Sequence, residues 1–306
     1  MSNELQTGGQ PAWVQLLSKL LILMGMFTVG LFFFTMVGFQ LCPYLFGVNL
    51  AVNDNLAENL KNESYVSAYR FVQYLYSLGA FALPALAFAQ YFAKDKKYDF
   101  IGLGKKASWA LVGFSLLLGL CYYPLLDWIY QLNRELSLTD SLKEMEKQNE
   151  LLTQAFLKGS GLNHLFANLL LMALLPAFCE ELFFRGALQG YLSHWSGKPH
   201  VAIWVSAFIF SALHMEFLGF VPRLLMGAYL GYMYAWSGSL WVSILGHFFH
   251  NGLAIFAVWL GHNGFDTGVL AEEYHFPLWS ALVSAAFTAG LIYWFKKYTD
   301  RQKVPF

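Results

Sequence analysis

The sequence predicts an all-α protein that crosses a membrane about eight times. Two features of the whole chain point there. Of its 306 residues, 57% are hydrophobic and only 12% charged, about half the ~25% charged share of an average soluble domain. The charges are also segregated. Residues 20–53, 71–93, 107–126, 159–179, 199–215, 224–265 and 274–295 contain no Asp, Glu, Lys or Arg, and most of these stretches reach the ~20 residues a helix needs to cross hydrocarbon. Formal net charge is zero, so there is no electrostatic case for a nucleic-acid partner. Cys42, Cys121 and Cys179 are scattered, with no C-x-x-C pair. Neither a disulfide framework nor a cysteine-based zinc site is expected.

Each element follows from these gaps. No Lys or Arg precedes Lys19, and the apolar run after it is too long for the core of a cleavable signal. The first helix, about 14–40, is therefore expected to be retained. Helices over about 69–92 and 108–130 come next. Segment 131–163 is the largest polar piece. Ser141 and Glu144 form an S-x-x-E capping pattern. Leu142, Met145, Leu152 and Phe156 suggest an amphipathic helix lying on the outer membrane surface. Helices over about 164–190, 199–215, 218–236, 240–260 and 277–297 complete the set, with "WSGSL" (236–240) supplying the turn inside the long gap 224–265. The chain divides into N-terminal membrane helices (1–163), a core (164–260) and a last loop, helix and basic tail (261–306). No internal repeat is evident, which disfavours the inverted-repeat transporters.

Lys and Arg sort by side. Loop 93–107 carries Lys94, Lys96, Lys97, Lys105 and Lys106, and the tail carries Lys296, Lys297, Arg301 and Lys303, whereas 261–276 has none. The positive-inside rule places the basic loop and the C-terminus in the cytoplasm. Eight crossings then put the N-terminus there too.

The remaining ionisable groups concentrate in the core: Glu180, Glu181 and Arg185, then His214, Arg223, His247, His250 and Asn251. Such groups inside a membrane are costly and mark function more often than packing. Glu181 and Arg185 are four apart, share a helix face and can pair. Glu180 lies about 100° round the helix from Glu181 and about 140° from Arg185. It must be satisfied by another helix, a metal or water. His247 and Asn251 also share a face. One carboxylate and two imidazoles from three helices suit two chemistries. They can hold zinc with an open water position, with Glu180, His214 and His247 as candidate ligands. Or they can form a general base with polarising partners around a bound water. Both lead to hydrolysis. Counted from the loop at 190–199, Glu180 lies about 15 Å deep and His214 about 20 Å, so the helix bearing His214 must shift or tilt. His250, His164, His194, His200, His262 and His275 are read as structural or interfacial, Cys179 as a packing residue, and Asp127 as interfacial.

"EELFFR" (180–185), "FSALH" (210–214) and "HFFHN" (247–251) resemble the E-E-x-x-x-R, F-x-x-x-H and H-x-x-x-N motifs of the CAAX-protease and bacteriocin-processing family of intramembrane endopeptidases. The resemblance covers about 164–260. It implies an all-α membrane core around a polar, water-accessible cavity. Glu180 would activate the water with His214, His247 and Asn251 would stabilise the oxyanion, and Glu181 and Arg185 would support the site. The family is called metallo-dependent, and a metal-free glutamate mechanism has also been argued, so zinc stays an open cofactor. The implied substrate is a peptide or membrane protein, in a bacterial inner membrane. The alternative is a non-proteolytic immunity or binding protein that uses the motifs as a structural polar core.

Overall fold

The computed structural model describes residues 11–52, 55–268 and 274–301. Among these, helices account for nearly all the ordered chain and no strand occurs. Nine main helices follow in order. They are α1 (Ala12–Phe46), α2 (Glu63–Ala93), α3 (Trp109–Arg134), α4 (Asp140–Leu157), α5 (Leu162–Ser196), α6 (Pro199–Leu213), α7 (Phe220–Ser237), α8 (Leu240–His262) and α9 (Leu278–Arg301). All but α4 coincide with the eight expected crossings. The count needs refining, however. Six helices (α1, α2, α3, α5, α8 and α9) are long and apolar enough to span a membrane by themselves. The apolar α6 has 15 residues, about 22 Å of rise, and α7, with 18 residues, begins with Arg223 in its first turn.

Two long helices are interrupted where proline requires it. Pro84 and Pro176 carry no N–H and crowd the carbonyl four residues earlier. Just before each, the helix widens into a π stretch, Leu78–Ala82 in α2 and Leu169–Leu174 in α5. A third π stretch, Leu182–Gln189, follows the acidic pair. Stretches of this kind are frequent at functional sites.

α6 and α7 form an antiparallel pair whose close approach depends on Gly227 and Gly231. A Cβ at Gly227 would come within 3.1 Å of Ala207 Cβ, and one at Gly231 within 2.9 Å of Ile203 Cγ2. The turn between α7 and α8 is the expected one. Gly238 takes the left-handed conformation at φ 66° and closes α7. That turn is covered by the loop before α3, with Leu240 N–H donating to Gly102 O and Ser239 Oγ to Lys105 O.

The main core joins the N-terminal helices to the motif-bearing ones. Phe27 of α1, Phe81 and Phe88 of α2, and Phe183, Phe184 and Tyr191 of α5 are buried together. Their aromatic rings meet at 5.4 Å (Phe27–Phe183) and 5.6 Å (Phe81–Phe184). α1 and α9 instead turn large apolar side chains outward, among them Val29, Phe32, Phe33, Leu282 and Phe287. That surface suits lipid tails rather than water. The protein is an integral membrane protein.

α4 is amphipathic as expected. Leu142, Met145 and Leu152 are half-buried and Phe156 is buried. It begins earlier than the Ser141–Glu144 pattern implied, since its N-cap is Thr139 and Ser141 lies inside the first turn. Asp127 does more than sit at an interface. Its Oδ2 accepts the Phe276 N–H at 3.0 Å, tying α3 to the segment that enters α9.

Candidate active site

Glu181 and Arg185 stand one turn apart on α5, and the pairing expected from their spacing is present. Arg185 Nη1 donates to Glu181 Oε1 at 2.8 Å, with both side chains essentially shut off from solvent. The guanidinium is satisfied on two further sides. Nη2 donates to Gly227 O of α7 at 2.9 Å, and the plane lies 4.7 Å from the centre of the Phe210 ring, a favourable cation–π arrangement. One turn on, Gln189 Nε2 donates to Gly231 O, also at 2.9 Å. Arg185 and Gln189 thus step along α5 in register with Gly227 and Gly231 along α7. At Gly231 the approach leaves little room for a side chain: a Cβ there would lie 2.7 Å from Gln189 Oε1.

Glu181 has a second partner that helical spacing could not reveal. His247 Nδ1, on α8, lies 2.9 Å from the same Oε1. The carboxylate therefore orients His247 while holding Arg185. A neutral imidazole with its proton on Nδ1 donates to Glu181 and leaves Nε2 as an acceptor, whereas an imidazolium carries protons on both nitrogens.

Glu180 faces the other way. It has no bond to Arg185, and its Oε2 lies 3.9 Å from His214 Nε2. That is longer than a direct hydrogen bond and suits a bridging water. Its side chain is 12% exposed and that of His214 28%, so this pair opens to the exterior of the protein and the Glu181–Arg185 pair behind it does not. His214 caps the end of α6, and its Nδ1 donates to Phe210 O at 2.7 Å, which leaves Nε2 toward Glu180 without a proton in the neutral ring. Phe210 is the common floor of the site, its ring centre 4.7 Å from that of His214 and 6.0 Å from that of His247.

The depth mismatch between Glu180 and His214 disappears because α5 runs to Ser196 rather than to about 190. Glu180 is then about 24 Å from the α5–α6 turn and His214 about 22 Å, with no shift or tilt of α6 required.

Asn251, one turn beyond His247, donates from Nδ2 to Met172 O at 3.3 Å. This is the carbonyl that Pro176, four residues on, cannot serve. His250 is structural: its Nδ1 lies 3.0 Å from Tyr122 OH. Among the interfacial histidines, His200 Nδ1 meets Tyr232 OH, likewise at 3.0 Å. Arg223 pairs with Glu216 at the mouth of the site.

The expected metal ligands do not form a three-donor set. Among the described residues, no three His, Cys, Asp or Glu side chains converge on a point that could hold a metal. Glu180 and His214 supply two donors, and His247, held by Glu181 at Nδ1, would have only Nε2 to offer a metal.

Glu180 thus lies near His214, and Glu181 joins Arg185 to His247; comparison with known proteins bears on what these motifs belong to. Residues 162–253 match the family model for type II CAAX prenyl endopeptidase, Rce1-like. The match contains Glu180, Glu181, Arg185, His214, His247 and Asn251, and so bears out the resemblance those motifs carry. The family named is one of peptidases. An uncharacterized protein, YpbD, of Bacillus subtilis (strain 168) is 35% identical over 85 residues, which is 26% of this chain and 40% of that protein. The chain thus matches less than half the length of this relative. No solved structure matches the chain.

Sequence reasoning named the six candidate site residues but gave no role to three others around them. Phe210 stood in the quoted motif without a stated role. Gln189 is four residues after Arg185, just as Gly231 is four after Gly227, and that matched spacing was the available signal. Glu146 is the third, treated below.

Proposed function

We propose that the protein is an intramembrane endopeptidase in which Glu180 activates water. The observation that carries this reading is the partly exposed Glu180–His214 pair, with Oε2 and Nε2 3.9 Å apart. It lies beside a fully buried Glu181–His247 contact. A water held between Glu180 and His214 gives up one proton to the Glu180 carboxylate as its oxygen attacks the scissile carbonyl carbon, while its other hydrogen stays on that oxygen, hydrogen-bonded to His214 Nε2. The carbonyl oxygen gains negative charge. His247, held at Nδ1 by Glu181, and Asn251, through the Nδ2 hydrogen not given to Met172 O, are assigned to meet that charge. As the C–N bond breaks, Glu180 returns its proton to the departing amine nitrogen.

The roles rest on donor and acceptor inventories and on the family match. No step is routed through a metal, since no group of three such donors occurs among the described residues. The substrate is a peptide or membrane-anchored protein. In this reading the basic loop 93–107 and both termini face the cytoplasm, and the host membrane is bacterial.

The test is cleavage of a quenched peptide library in detergent and in liposomes, comparing wild type with Glu180→Gln. A general base is worth about 10²–10⁴ in rate, so Glu180→Gln should lose at least about 100-fold in kcat/KM while eluting as the same folded species. Equal cleavage by both proteins would refute the assignment and favour an immunity or binding protein that keeps the motifs as a structural polar core.

A further inference from the structure

His214 is the last residue before a loop that is held from outside the family-matched segment. The loop, residues 215–219, joins α6 to α7. It begins under strain: Met215 has φ 54°, a left-handed backbone that a non-glycine residue rarely adopts. Glu216 is occupied by Arg223 of α7. The two following amides, Phe217 N–H and Leu218 N–H, both donate to Glu146 Oε1 of α4, at 2.5 and 3.1 Å. Leu218 O accepts from Asn133 Nδ2, near the end of α3, at 2.9 Å. Glu146 therefore binds the loop with a charge-assisted fork, the stronger class of hydrogen bond. Its α4 neighbours Lys143, Glu144, Lys147 and Gln148 are exposed, whereas Glu146 is half-buried.

We infer that Glu146 is a positioning residue for His214: by pinning the Phe217 and Leu218 amides, it holds the strained loop that fixes the end of α6 and so sets the gap between His214 and Glu180. The assignment rests on the proposed water-activating pair and extends it to a helix outside the family match. The short tie from loop to ring is explicit. His214 N–H donates to Ser211 O, and Ser211 Oγ donates to Phe220 O across the loop. Releasing the loop releases both sides of the last turn of α6. A misplacement of about 1 Å at a reacting group can cost 10²-fold in rate.

The experiment measures cleavage and amide hydrogen exchange on full-length wild type, Glu146→Ala, Glu146→Gln and Glu180→Gln. Glu146→Ala is expected to speed exchange at 215–219 and to lower kcat by about tenfold with KM nearly unchanged. Glu146→Gln keeps an acceptor oxygen and should recover to within about threefold of wild type. Unchanged exchange in Glu146→Ala, or a loss confined to KM, or a Gln variant as impaired as the Ala variant, would overturn the inference. If wild type cleaves nothing, or no better than Glu180→Gln, the protease reading fails. Exchange at 215–219 then still decides whether Glu146 holds the loop. Because the Gln variant keeps the shape of the side chain, misfolding of Glu146→Ala alone leaves the comparison intact.

Discussion

Replacing Arg185 with methionine should be among the most damaging single changes in the protein. The side chain is 1% exposed, and its partner Glu181 is fully buried. Methionine fills much of the same volume but leaves the Glu181 carboxylate without its cation, and the other oxygen of that group, Oε2, is buried with no hydrogen-bond partner among the described residues. Breaking one side of a buried ion pair costs ~3–5 kcal/mol, and losing the bond to Gly227 O adds about 1 kcal/mol. The expected destabilisation is therefore about 4–6 kcal/mol. The assay is equilibrium unfolding in mixed micelles, titrated with a denaturing detergent. The double variant Glu181→Gln with Arg185→Met is the informative companion. It removes the stranded charge, keeps an oxygen for His247 Nδ1, and should leave a deficit of only about 1–2 kcal/mol. A deficit below about 1 kcal/mol in Arg185→Met, or a double variant no more stable than the single one, would refute the argument that this pair is held by mutual compensation.

Three further outcomes follow from neighbouring geometry. Gly231→Ala drives a methyl to 2.7 Å from Gln189 Oε1 and should cost ~1–3 kcal/mol by overpacking in the same titration; neutrality would mean that α5 and α7 separate easily. Asn251→Ala leaves the Met172 carbonyl without its donor and should destabilise by about 1 kcal/mol, with a further loss of kcat once folding is corrected for if Asn251 also meets the oxyanion. Chelator treatment should leave cleavage unchanged, since two converging donors make a poor zinc site; activity lost to chelator and restored by zinc would overturn that expectation.

Much of this was legible in the chain. Charge-free stretches located eight of the main helices, six of them long and apolar enough to span a membrane, because a buried ion is expensive in hydrocarbon. The Glu181–Arg185 pair was legible because one helical turn fixes who can meet whom. Contacts between helices were not. Nothing in local spacing says that His247 shares the oxygen Arg185 uses, because that depends on how α8 is rotated against α5. The end of α5 was also hidden. The seven residues "GYLSHWS" after Gln189 look polar enough to be a loop, yet they continue the helix to Ser196, and that misjudged end alone produced the false depth conflict at His214. α4 was legible as amphipathic, since Phe156 and its companions recur at helical spacing. That Glu146 would reach two backbone amides on a distant loop could not be read from an exposed-looking acidic run.

The brevity of α6 has a consequence for the surrounding lipid. Its outer face is apolar, with Val201, Trp204, Val205 and Phe208 exposed, so acyl chains pack directly against a rod about 22 Å long where the average hydrocarbon layer is about 30 Å. Such hydrophobic mismatch is relieved by the softer partner, and a bilayer thins beside a short helix at a cost of fractions of a kcal/mol per Å. By that rule, hydrocarbon packed along α6 is expected to thin beside it, bringing the headgroup layer nearer both ends of the helix, the His214 end included. Acyl-chain length is then expected to change how near that layer comes to His214.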